Sequence, residues 1–218
     1  HAHDGGVGRH IVGDHGAGAR DRTAEHNSLR PLLAPASLAV IGVSRSRSGV
    51  GYEILHAVLA GGFTGRAYPF NPHAKTIDGL DCYSSVGAIP ERVDLAIVAV
   101  PASSVPQLIE ECGAAHVGAA VVLSAGFGET GPSGAAAESQ LYASARRHDI
   151  RVVGPNCIGL INTDPFVRLN ATFAPNAPTP GHLAVATQSG AVGVAILDSA
   201  ERSGVGISTF VSLGNKID

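Results

Sequence analysis

Residues 37–55 read SLAVIGVSRSRSGVGYEIL. The apolar run Leu38–Val43 enters a small basic loop, and apolar residues at helical spacing follow from Val50. A strand that feeds a helix through glycines is a phosphate-binding device, because the free amides and positive dipole end of the helix favour an anion. Gly42, Gly49 and Gly51 let the backbone come close, while Ser44, Ser48, Arg45 and Arg47 supply hydroxyl donors and charge. Val43 and Val50 complete this candidate cradle.

The rhythm continues outward from that stretch. Short apolar runs recur at Ala67–Phe70, Leu95–Val100, Ala119–Ser124 and Arg151–Val153. Helical patterns fill Val50–Ala60, Val105–Ala115 and Ala135–His148. Near-continuous apolar strands alternating with helices predict a parallel sheet covered on both faces. With right-handed crossovers the fold class is α/β, a Rossmann-like doubly wound sheet. Thr163–Gly181 then holds four prolines and no periodicity, and reads as a connection. Strand His182–Thr187, helix Ala191–Arg202 and strand Ile207–Ser212 follow, as the start of a second α/β domain. The expected organisation is a linker or tail of a preceding domain over 1–27, a Rossmann-like domain over 28–165, a Pro-rich connection over 166–181 and a truncated domain over 182–218.

The 218 residues carry a net charge of −3, and only 15% are charged against about 25% in a typical globular chain. This argues against nucleic acid as a partner. No apolar run approaches the roughly 18 residues of a membrane-spanning helix, so a membrane partner is not expected. Cys82, Cys112 and Cys157 are an odd number without CxxC spacing, which excludes a disulfide framework and favours a cytoplasmic setting. His1, His3, His10 and His15 fit no closed metal site and read as solvated histidines. The chain has no methionine, even at position 1, which suggests a piece of a longer protein.

Three further loops, those holding Val100-Pro101, Ser124–Phe127 and Gly154–Cys157, should converge on one rim with the cradle. The second strand ends Phe70-Asn71-Pro72, without the acid that a nicotinamide cofactor's ribose requires. Lys75 follows and suits a further phosphate. The next strand ends at Val100-Pro101. After it, Ser124-Ala125-Gly126-Phe127 is expected to expose backbone amides beside an aromatic ring. Gly154-Pro155-Asn156-Cys157 closes a third strand, and Gln188-Ser189-Gly190 opens the last helix as a second anion site. No basic partner accompanies Cys157, so it reads as packing.

The segments GVGYEIL, VVLSAGFGETG, RVVGPNCIGLIN, LNATFAP and TQSGAVGVAILD resemble, in this order, the NDP-forming acyl-CoA synthetases. That superfamily includes ADP-forming acetyl-CoA synthetase and the succinyl-CoA synthetase α subunit. The resemblance implies a CoA-binding Rossmann domain followed by a flavodoxin-like domain. It places the CoA or acetyl-CoA phosphates at Val43–Gly51. Asn71, Pro72 and Lys75 would flank the nucleotide end, Val100 and Pro101 the adenine, and Ser124–Phe127 the pantetheine. Asn156, Gln188, Ser189 and Gly190 would hold the phosphate of a phosphohistidine. The family's histidine lies in a segment past Asp218, so no catalytic residue is expected here. A small carboxylic acid is the implied co-substrate, and ATP/ADP with Mg enters through an ATP-grasp domain or subunit. A homo-oligomer is compatible with this. The stretch before the first strand also resembles the junction to a GNAT acetyltransferase domain. An acyl-CoA-sensing module of a protein lysine acetyltransferase is therefore the alternative, and an NAD(P)-binding oxidoreductase domain a minor one.

Overall fold

The computed structural model describes residues 27–218. The linker expected over 1–27, with its histidines, lies outside them except for Asn27. Helical residues 27–33 (α1) precede β1 (Ser37–Ile41), α2 (Val50–Ala60) and β2 (Arg66–Phe70). A short antiparallel pair, β3 (Thr76–Ile77) with β4 (Leu80–Asp81), occupies the link to β5 (Leu95–Val98). Then come α3 (Val105–Ala114), β6 (Ala119–Val122), α4 (Pro132–Arg147) and β7 (Arg151–Val153).

The five long-range strands form one parallel sheet in the order β2-β1-β5-β6-β7. The chain leaves β1 for β2 on one side and returns to β5 on the other. The carboxyl ends of β1 and β5 therefore flank a topological switch point, where open α/β sheets bind ligands. Side chains of β1 alternate between two cores, as the period of 2 requires. Ala39 and Ile41 join Val105, Ile109, Leu141 and Ala145 under α3 and α4. Leu38 and Val40 join Ile54, Leu55 and Val58 of α2.

The second face departs from the sequence expectation. Beside α1 and α2 it is covered by strands, β8 (Gly159–Asn162) and β9 (Leu169–Thr172), whose Leu160, Leu169 and Ala171 share the α2 core. These two strands belong to a second sheet with β10 (Pro180–Thr187) and β11 (Ile207–Ser212), in the order β10-β11-β8-β9. Its other face packs Ile161, Ile207 and Phe210 against α5 (Gly190–Arg202). The connection over 166–181, expected to be irregular, therefore contains a strand. Strand β9 lies inside the proline-rich stretch because its four prolines flank Leu169–Thr172 and leave those amides free to pair. The second sheet thus has four strands where two were expected.

The chain closes the two sheets on each other after β11. Asn215 donates its amide to the Pro155 carbonyl at 2.9 Å and Ile217 to that of Gly154 at 3.4 Å. Asp218 accepts from the Val152 amide at 3.1 Å and pairs with Arg151 at 3.0 Å.

The first turn of α2 is wedged against β1. A Cβ on Gly51 would sit 2.5 Å from the Gly42 carbonyl oxygen, and Gly42 itself has a φ of 96°. On helix propensity alone Gly51→Ala would gain about 1 kcal/mol. The backbone clash reverses that sign, with an expected net loss of about 1–3 kcal/mol, or several degrees in Tm. Thermal melts of the variant check this, and an unchanged or raised Tm contradicts the wedge.

Candidate functional site

A cavity of about 580 Å³ opens at the switch point. Its walls come from Gly42 at the end of β1, Asn71 and Pro72 after β2, and Val100 and Pro101 after β5. The 3-10 turn before α3 adds Ser103 and Ser104, and α3 itself Gln107, which the sequence reading did not single out. Their signal was legible in PASSVPQ, where Pro106 marks a helix start. Apolar walls with a few convergent polar groups suit the base and sugar of a nucleotide.

The β1–α2 loop reaches the cavity wall through Gly42, and its hydroxyl and amide donors lie beyond that wall. Ser44, Ser46 and Ser48 form a hydroxyl chain, with Oγ–Oγ distances of 2.6 and 2.8 Å. Ser46 was overlooked; the turn at Arg45-Ser46, followed by Arg47 at a φ of 53°, brings the three hydroxyls together. The amides of Val50 and Gly51 lie in the first turn of α2, where no intrahelical acceptor exists. Tyr52 and Glu53 donate to the Gly49 carbonyl at 3.0 and 3.1 Å. Asn71 anchors the loop: its Nδ2 donates to the Val43 carbonyl at 2.7 Å, and its Oδ1 accepts the His73 amide at 2.8 Å.

Two expected cations differ from one another. Arg45 is exposed, with no carboxylate partner among the described residues. Arg47 pairs with Asp78 at 3.0 Å and lines a groove beside Tyr52 and Glu53, away from the cavity. The two arginines of the loop thus stand in different surroundings. Arg47 has a φ of 53°, and the β3–β4 turn that carries Asp78 was invisible in the sequence pattern. Lys75 is exposed and does not line the cavity.

A second cavity, about 660 Å³, lies between the two sheets. It gathers Asn156, Gln188, Ser189 and Gly190 as expected, and adds Phe173, Gly214 and Asn215. Ser189 caps α5, its hydroxyl accepting the Val192 amide at 3.3 Å. The Gly190 and Ala191 amides of that first turn remain without a protein acceptor among the described residues. Cys157 lines the cavity but its thiol donates to the Val122 carbonyl at 3.3 Å, and burial pushes it up to about 12. It cannot serve as a thiolate nucleophile near neutral pH.

The loop after β6 does not present what the sequence suggested. Phe127 is fully buried under α4, and the amides of Gly126 and Phe127 donate to Glu129 at 2.6 and 3.1 Å. Glu129 lies only two and three residues on, so the loop satisfies its own amides. Ala125 faces the second cavity, and Ser124 ties the two sites: its hydroxyl donates to the Val100 carbonyl at 2.5 Å, and its carbonyl accepts the Asn156 amide at 2.9 Å. Among the described residues no cluster of three or more His, Cys, Asp or Glu side chains could hold a metal. No described helix is long and apolar enough to cross a membrane.

The chain has relatives among known proteins. The family described as CoA binding domain matches residues 36–163, and the chain belongs to it. The succinyl-CoA ligase like flavodoxin domain matches residues 180–218. The chain is 48% identical to acetate–CoA ligase (ADP-forming) I of Archaeoglobus fulgidus, over 86% of this chain and 27% of that protein. It is 41% identical to the ligase's subunit alpha from Pyrococcus furiosus, over 88% of this chain and 42% of that subunit. A solved dinucleotide forming acetyl-coenzyme A synthetase 1 of Ca. Korarchaeum cryptofilum, in complex with phosphate and ADP, superposes with a TM-score of 0.83 at 41% identity. That match covers 87% of this chain and 40% of the solved one. The chain thus spans 27% and 42% of the length of these two curated relatives.

Burial alone would push the Glu129 carboxyl up. Hydrogen bonds from Asn215 and from the Gly126, Glu129 and Phe127 amides outweigh it and bring the pKa from 4.5 to about 2. A lowered carboxyl contributes stability above its unfolded value and loses it as pH falls through the folded one. Between pH 4.5 and about 2, the stability of Glu129→Gln should therefore fall less steeply than that of the unmutated protein. Denaturant titrations across that window check this, and parallel slopes contradict it.

Proposed function

We propose that the chain is the CoA-binding region of an ADP-forming acyl-CoA synthetase of the acetate type. The observation that carries this reading is the switch-point cavity, bordered by an amide- and hydroxyl-rich loop, beside a second cavity at a helix start. In this reading the β1–α2 loop binds the CoA diphosphate through the Val50 and Gly51 amides, the serine hydroxyls and Arg45. Val100, Pro101 and the start of α3 enclose the nucleotide end. The pantetheine arm crosses the β5–β6 edge at Ser124 towards the second cavity. There the Gly190 and Ala191 amides stabilise a phosphate, and Asn156 and Gln188 orient it.

The whole reaction would join a small carboxylic acid to CoA at the expense of ATP, yielding ADP and phosphate. The ATP site falls to an ATP-grasp partner domain or subunit, and the compartment to the cytoplasm, in keeping with three free cysteines. The reading of an acetyltransferase-fused sensor rests on residues 19–35, a stretch that begins before the described ones. Both readings share the CoA site and part at the activity of the full-length protein.

Calorimetry with CoA, acetyl-CoA and NAD tests the ligand assignment. CoA and acetyl-CoA should bind, with NAD weaker than either. Arg45→Ala should weaken CoA about tenfold, the size of one charge-assisted contact to phosphate. Tighter binding of NAD than of CoA would overturn the proposal.

A further inference from the structure

Asn215 sits where the second cavity, the loop after β6, the loop after β7 and the end of β11 meet. Its backbone amide is fixed on the Pro155 carbonyl at 2.9 Å. Its Nδ2 donates to Glu129 at 2.7 Å and to Glu138 at 2.6 Å. Its Oδ1 accepts from Asn156 Nδ2 at 3.3 Å. Only a primary amide can do all of this at once, since it offers two donors and one acceptor from a single planar group.

The placement has an electrostatic consequence. Asn215 and Asn156 line the second cavity, whereas Glu129 and Glu138 do not. Two carboxylates thus stand directly behind the wall of a cavity whose helix start suits an anion. Their oxygens are turned to donors: Asn215 for both, Gly126 and Phe127 for Glu129, and Gly128 for Glu138 at 3.1 Å. A neutral amide separates them from the cavity. Gly214, at a φ of 57°, permits this approach, because a Cβ there would meet the Pro155 carbonyl oxygen at 2.1 Å.

We propose that Asn215 is a positioning residue for the second cavity, holding Asn156 on its wall while screening the anion from Glu129 and Glu138. The inference rests on the phosphate site proposed above, and it assigns a role to a residue outside the two helix-start loops. It also accounts for the reach of the chain after β11 back onto the first sheet.

Titration of inorganic phosphate into the protein, followed by phosphorus NMR, reads the site directly. Adenosine 3′,5′-bisphosphate, the nucleotide end of CoA, serves as the control for the first cavity. Asn215→Ala should lower phosphate affinity about tenfold, and Asn215→Asp by more, while the control ligand stays within about twofold. The Asn215→Asp loss, taken relative to the unmutated protein, should grow as salt is lowered, because it is a charge repulsion. Phosphate affinities unchanged in both variants would overturn the inference while leaving the phosphate site intact. An unmutated protein that binds the bisphosphate but no phosphate would overturn the site and the inference together. Should either variant fail to fold, Asn156→Gly removes the far end of the bridge and keeps the backbone at its φ of 57°. It is expected to cost about fivefold in phosphate affinity, and no loss would again overturn the role.

Discussion

The Gly42 carbonyl and the first turn of α2 are pressed together so closely that no side chain fits between them. This contact fixes where α2 begins relative to the end of β1. The helix start therefore lies beside the end of β1. The switch-point cavity, the serine chain and the Asn71 anchor all take their positions from it. A single extra methyl group at Gly51 would move the helix start and the amides on which the proposed phosphate cradle relies.

The second constraint is the interlock of the two sheets. A parallel sheet with helices on both faces needs no partner. Here one face is finished by β8 and β9, strands that belong to a neighbouring sheet and share its apolar core with α2. The return of residues 213–218 onto the loop after β7 closes the arrangement from the other side. The cavity between the sheets is in consequence framed by fixed backbone on both walls. Ser124 links it to the first cavity through the Val100 carbonyl.

Much of this was legible in the residues. All five parallel strands and α2, α3 and α4 follow from apolar runs and helical spacing, because burial on both faces leaves an uninterrupted apolar signature. The helix start at Gln188-Ser189-Gly190 and the Asn156 loop were readable from their turn residues, and they do share one cavity. Strands β8 and β9 were not, since four residues among prolines give too short a period to detect. Nor could the sequence show that Glu129 occupies the Gly126 and Phe127 amides, or that Asp78 draws Arg47 away. The Glu129 pairing turns on the local shape of the loop, whereas the Asp78 pairing is set by the tertiary fold. Asn215 escaped notice for the same reason: its partners lie 59 to 86 residues away in the chain.

The central claim is that the loop from Gly42 to Gly51 carries the phosphates of CoA at the switch point. A crystal structure of the protein grown with CoA measures this most directly. The account predicts the diphosphate on the Val50 and Gly51 amides beside Arg45, the adenosine between Val100 and the start of α3, and the thiol end at the cavity between the sheets. CoA bound elsewhere, for example in the groove beside Arg47 and Tyr52 with the loop unengaged, would contradict it.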